Sequence, residues 1–224
     1  KEIANAEDII AKMEELQITA NLPGWITQLT ESFKAKIWLS KGKLDKIEEW
    51  LDQNEISVTG SILSLQYLGY MILARFLLAQ GKTMEAKEVL DRLIFKQQKT
   101  ERILLLIETL LIKAFVLKSE GDDKGAVLTF AEALKRAESG GYIRVFLDEG
   151  PSTAELLEMV LKSDVDAHRA FVRKLLTAYL IDMHPSDEAA SARNGNDLSE
   201  RELEVLRLIA ACLTNKKIME KLYM

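Results

Sequence analysis

Cysteine occurs once in this chain, histidine twice and proline three times in 224 residues. Each scarcity removes a class of structure or chemistry. A lone Cys212 excludes an intrachain disulfide and, with no signal-peptide pattern at the start, fits a reducing, cytoplasmic setting. His168 and His184 have no cysteine or acidic pair at metal-ligand spacing, so no metal site is expected. No catalytic constellation of side chains is found, and the chain does not read as an enzyme. There is also no run of about 18 uncharged apolar residues, the length a membrane span requires. The densest apolar stretch, 103–117, is broken by Glu108 and Lys113 and reads as a buried helix. Three prolines and few alternating β-branched runs leave an all-α reading.

Hydrophobic residues make up 48% of the chain and charged ones 29%, enough for a sizeable core under a solvated surface. The net charge of −5 argues against nucleic-acid binding by the chain as a whole. The acidic pairs Glu14-Glu15 and Glu48-Glu49 read as solvated helix faces.

An internal repeat organises the first two thirds. Gly42, Gly81 and Gly121 are spaced by 39 and then 40 residues. Seven positions before each stands an alanine (Ala35, Ala74, Ala114); five after come Ile47, Ala86 and Ala126, and nine after come Leu51, Leu90 and Phe130. A small residue where two helices cross, a glycine that ends the first helix and an apolar stripe on the second describe a helical hairpin. The spacing resembles the tetratricopeptide repeat, with a period longer than the usual one. Hairpins are expected at 25–54, 63–97 and 101–139, residues 1–16 as the second helix of an earlier repeat, and 21–24 as a turn. A bundle without repeats would require three coincident offsets. Gly81-Lys82-Thr83 invites a phosphate-loop reading, but the first glycine such a loop needs falls at Phe76, inside a helix with no strand before it.

Past the repeats, Gly140–Pro151 reads as a loop leading to a helix capped at Ser152, with Glu155 in capping-box position. Another helix is expected from about Asp164 to Met183. Residues 184–197 lose apolar periodicity and fill with Ser, Ala, Asn, Gly and charge, the composition of a linker. The chain thus divides into a repeat module, 1–183, and a second module from 198.

That second module reads as helix, tight join, helix. Ser199 with Glu202 forms a capping box, Leu203, Leu206, Ile209 and Ala210 form one stripe, and a second cap at Thr214 precedes Ile218 and Leu222. The string LSERELEVLRLIA…LTNKKIMEKLYM resembles the first half of the DNA-binding domain of LuxR-type transcriptional regulators, with Cys212, Lys217 and Met219 replacing that pattern's usual Gly, Glu and Ala. The run GYIRVFLDEGP, 141–151, resembles a segment that follows the helical repeats in the large, MalT-like members of that class. The resemblance implies a tetratricopeptide-like superhelix that senses an effector, then the start of a helix-turn-helix domain whose recognition helix would lie beyond Met224. It implies phosphate contacts at Thr214, Asn215, Lys216 and Lys217, which cluster at a helix start where free N–H groups attract anions. No cofactor is expected in this region; an ATP-binding module upstream in the parent protein is what large relatives carry.

By tetratricopeptide geometry the groove-facing positions fall in four rows: Lys36, Arg75 and Phe115; Leu39, Leu78 and Lys118; Ser32, Met71 and Leu111; and Leu29, Leu68 and Glu108. Lys36, Met71, Arg75, Glu108, Phe115 and Lys118 are the nominated effector- or partner-binding residues. Arg75 is the most pointed, because a guanidinium within an apolar helix must face a groove or a partner charge. Expected partners are DNA through the complete parent protein and a small molecule or protein in the groove, with self-association possible and no membrane. The competing reading is a tetratricopeptide-like interaction scaffold without DNA binding. Phosphate contacts position but carry no direct sequence information, so the chain is expected to bind operator DNA no better than random duplex. A gel-shift at moderate salt checks this, and clear operator preference would refute it.

Overall fold

The computed structural model describes residues 2–20, 23–98, 102–163 and 169–183. Two compact units divide the chain, 1–178 and 179–224; of the second, the described residues are the last five of a helix. The linker at 184–197 and the segment 198–224, including Thr214, Asn215, Lys216 and Lys217, lie outside the described residues, as do the Asp164 helix start, His168 and the first two residues of the 21–24 turn. The helices are α1 (Glu2–Ala20), α2 (Gly24–Ser40), α3 (Leu44–Gln53), α4 (Tyr67–Ala79), α5 (Thr83–Gln97), α6 (Ile103–Ser119), α7 (Asp123–Gly140), α8 (Arg144–Leu147), α9 (Pro151–Lys162) and α10 (Arg169–Met183), with a 3₁₀ turn at Ser64–Gln66. Among the described residues there is no strand.

The three hairpins, α2–α3, α4–α5 and α6–α7, fall where the glycine spacing predicts them, and each turn is built the same way. Gly42, Gly81 and Gly121 take φ of 65°, 74° and 80°. Each glycine N–H bonds a carbonyl three residues back, and the next N–H reaches five back: Lys43 to Trp38 at 2.9 Å, Lys82 to Leu77 at 2.9 Å, Asp122 to Leu117 at 3.0 Å. These paired bonds satisfy carbonyls that a helix end leaves open, and they require a left-handed residue. Asp122 adds a side-chain cap, its carboxylate accepting from Gly125 N–H at 2.9 Å. α1 continues past its expected end to Ala20 and packs on α2, with Lys34 on Glu14 at 2.7 Å and Gln17 donating to Thr30 at 2.8 Å.

Behind each turn the small residue lets two helices approach. Ala35, Ala74 and Ala114 are fully buried, as are Ile47, Ala86 and Ala126. The long α3–α4 connection is anchored from α5 and α4: the Arg92 guanidinium donates to the carbonyls of Val58 and Gly60, and the Tyr70 hydroxyl to that of Ser61 at 3.2 Å. A first apolar cluster joins α2–α5, and a second joins α6 and α7 to α8, α9 and the start of α10. In the second, Phe146 stands edge-on to Phe130 at 5.8 Å and to Phe171 at 6.2 Å. Such T-shaped pairs add roughly 0.5–1.5 kcal/mol each beyond their burial.

The stretch read as a plain loop at 140–151 is more ordered than its glycines suggest. It holds the one-turn helix α8, which buries Val145 and Phe146 in the second cluster. The cap expected at Ser152 does not form. α9 begins at Pro151, with Gly150 at φ 69° in the cap position two residues before Ser152, and no side-chain cap bond forms. Proline at the first helical position needs no N–H partner and is already set to helical φ, so the cap hydroxyl is dispensable.

Because Gly81 holds a left-handed turn, Gly81→Ala should cost about 1–2 kcal/mol. Gly24→Ala, at the first turn of α2 with open space around it and no positive φ, should be neutral or slightly stabilising. Urea denaturation of the two variants measures the contrast; equal stabilities would contradict the turn assignment.

Candidate functional site

The first helices α2, α4 and α6 pack side by side, and along their shared face runs a cleft of about 210 Å³. Helical spacing aligns its walls. α2 contributes Ser32, Phe33 and Lys36; α4 contributes Leu68, Met71, Ile72 and Arg75; α6 contributes Leu104, Leu105 and Glu108. Most of the lining is apolar; the polar groups are Ser32, Lys36, Arg75 and Glu108.

Two of the polar side chains are already engaged. Ser32 donates to the carbonyl of Gln28 at 2.8 Å. Arg75 grips Glu149 in a two-point fork at 2.6 and 2.5 Å, and the side chains keep only 16% and 10% of their exposure. Bidentate guanidinium–carboxylate geometry is the strong form of an ion pair. It ties α4 to the segment between α8 and α9. Of the two environments open to Arg75, groove ligand or structural salt bridge, its terminal nitrogens occupy the second.

Glu108 and Lys36 are different. Neither makes a hydrogen bond or ion pair with any other described residue, though each lies within the other's field. Burial pushes the Glu108 carboxyl above its ordinary range; Lys36 and Arg75 pull it down, and Glu149 and Asp148 push it up. Burial prevails because desolvation penalises the charged form. Glu108 also borders a second cavity of about 530 Å³, formed with the 141–148 segment and sharing Leu104. Lys36 and Phe33 likewise border an apolar cavity between α1 and α2. The two unpartnered charges therefore stand where neighbouring spaces meet.

Of the nominated residues, the fold brings Lys36, Met71, Arg75 and Glu108 into one cleft, together with Ser32 and Leu68 from the same rows. Leu29 borders the adjoining cavity beside Trp25 and Leu65. The third hairpin departs from the expected pattern. Leu111 is fully buried in the core, Phe115 packs against the second cluster, and Lys118 pairs with Glu155 of α9. α8 and α9 lie against this hairpin, so Phe115 and Lys118 meet protein instead of open groove, while Glu108 near the start of α6 still lines the cleft. Leu39 and Leu78 are half-buried against the first cluster. Four liners escaped the sequence reading: Phe33, Ile72, Leu104 and Leu105. Phe33 and Leu104 are large apolar side chains left exposed, a signal visible only once burial is known. Glu149 escaped because 74 positions separate it from Arg75. Among the described residues no cluster of three or more His, Cys, Asp or Glu could hold a metal ion.

Glycine-turned hairpins stacked through small residues, with a cleft across their first helices, define a helical-repeat region. The chain belongs to the MalT-like TPR region family, whose model matches residues 1–163. It is similar to HTH-type transcriptional regulators MalT: that of Vibrio campbellii is 25% identical over 213 residues, and that of Vibrio cholerae serotype O1 is 26% identical over 213 residues. That of Vibrio parahaemolyticus serotype O3:K6 is 24% identical over 212 residues. Each match takes in 83% of this chain and 22% of the relative, so the chain spans about a fifth of the length of these regulators. No solved structure matches the chain. No described helix is long and apolar enough to cross a membrane.

The raised Glu108 pKa has a stability consequence. A carboxyl whose folded pKa lies above its unfolded value stabilises the fold at low pH, and that contribution is lost as pH rises through the interval. Glu108→Gln removes the charge that burial penalises. The variant should therefore melt higher than the parent at neutral pH, and the gain should vanish below about pH 4, near the unfolded carboxyl pKa. Melting curves across pH check it; a pH-independent difference would contradict burial as the cause.

Proposed function

We propose that this chain is the ligand-sensing part of a transcriptional regulator, and that the cleft between α2, α4 and α6 receives an effector or partner. One observation carries the reading. Within a MalT-like TPR region, the half-buried Glu108 and the exposed Lys36 stand unpartnered beside an apolar floor, and an ionised Glu108 there is costly unless a ligand completes it. The names of the relatives support the class of output.

In the complete regulator, by the same proposal, a LuxR-type helix-turn-helix beginning near Leu198 carries the output. Thr214, Asn215, Lys216 and Lys217 hold phosphates there, and a following helix reads bases in the major groove. The repeat region controls that binding because an occupied cleft favours one arrangement of its helices over another; a ligand shifts such an equilibrium only through its differential affinity.

Leu104 is half-exposed at the mouth of the cleft, so a larger side chain there blocks entry without disturbing the core. In the complete regulator, Leu104→Trp should abolish activation of a transcriptional reporter by the inducing condition while leaving the repeat region's melting temperature within a few degrees, since surface changes of this kind are worth about 0.5 kcal/mol or less. Full activation by the folded variant would reject the cleft as the sensing site.

A further inference from the structure

We infer that the cleft binds a small zwitterion with an apolar side chain, an apolar α-amino acid in chemical class, its ammonium on Glu108 and its carboxylate on Lys36. The inference rests on the reading of the cleft as an effector site.

The polar groups of the cleft select the class by subtraction. Ser32 gives its proton to Gln28, and both terminal nitrogens of Arg75 are held by Glu149. What remains is one cation, Lys36, and one anion, Glu108, neither with a partner among the described residues. They act on each other electrostatically yet do not close into an ion pair. Two opposite charges held apart over a shared floor are the complement of a dipolar ligand.

Single charges fit worse. A simple anion at Lys36 would leave Glu108 unpaired, and the nearby Arg75 is already held by Glu149. A simple cation at Glu108 would leave Lys36 unpaired. A neutral ligand would cover the half-buried Glu108 and the exposed Lys36 and pair neither. A zwitterion pairs both at once.

The remaining walls, Phe33, Leu68, Met71, Ile72, Leu104 and Leu105, are apolar and call for an apolar side chain. A cleft of about 210 Å³ lies below the roughly 300–1,000 Å³ of pockets that enclose drug-sized molecules, which points to a small metabolite.

Protonation follows from the same geometry. The groups facing Glu108 are Lys36 from α2, Arg75 from α4, and Asp148 and Glu149 from the segment before α9. An ammonium placed on Glu108 favours the ionised carboxylate, so binding releases a proton and strengthens as pH rises through the range to which burial has moved this group.

Isothermal titration calorimetry on the full chain tests the class, with L-leucine and L-phenylalanine as probes. Their decarboxylated counterparts are isoamylamine and phenethylamine; their deaminated counterparts are isocaproate and hydrocinnamate. One or both amino acids should bind, and losing either charge should weaken binding by about tenfold or more. Glu108→Gln and Lys36→Met should each weaken the amino acid by a similar factor, with melting curves confirming the fold. Equal binding of amine, acid and amino acid would overturn the inference, as would affinity unchanged in both variants. If none of the probes binds, the ligand class is wrong; the cleft itself then stands or falls separately on the Leu104→Trp reporter result.

Discussion

Close approach of paired helices is the constraint on which everything else in this molecule depends. Ala35, Ala74 and Ala114 are completely buried where the two helices of each hairpin cross, and a larger side chain there would push the helices apart. The approach is possible because Gly42, Gly81 and Gly121 reverse the chain within a few residues, each in left-handed conformation and each closing the same pair of backbone bonds. Neither half suffices alone. A tight turn without the small residue holds the helices at the wrong distance, and a small residue without the tight turn has no partner helix in register. Repeated three times, the unit lines up α2, α4 and α6 along one face, and the cleft is the space their side chains leave.

The third hairpin shows how one element changes a repeated surface. α8 and α9 pack against it, burying Phe146 and Leu156 in its core and bringing Glu155 to Lys118. Lys36 and Arg75 line the cleft in the first two hairpins, whereas Phe115, the matching position of the third, is covered. The cleft consequently draws its walls from the N-terminal part of α6 and not from its C-terminal half.

The Arg75–Glu149 pair fastens the C-terminal segment to the middle hairpin. Burying such a pair carries a desolvation cost that its attraction only partly offsets, so its presence is weak evidence for stability. Its geometry is better evidence for specificity, since a two-point fork tolerates little displacement. It also decides the chemistry of the cleft. With Arg75 occupied, Lys36 and Glu108 are the cleft charges without a partner among the described residues.

Much of this was legible in the residues. Glycine and alanine at fixed offsets predict the hairpins because left-handed φ and close crossing are local demands that few side chains meet. Helical phase then predicts that Lys36, Met71, Arg75 and Glu108 share a face. The tertiary structure alone decided the rest: that Arg75 is taken by Glu149, that Phe115 and Lys118 are covered, and that Phe33, Leu104 and Leu105 complete the wall. Those outcomes depend on how a segment 74 residues away folds back, and no local spacing encodes it. The sequence by itself determined a helical repeat and which residues of its first helices share a face; tertiary packing determined which charges on that face remain available, because availability is set by neighbours that meet only in three dimensions.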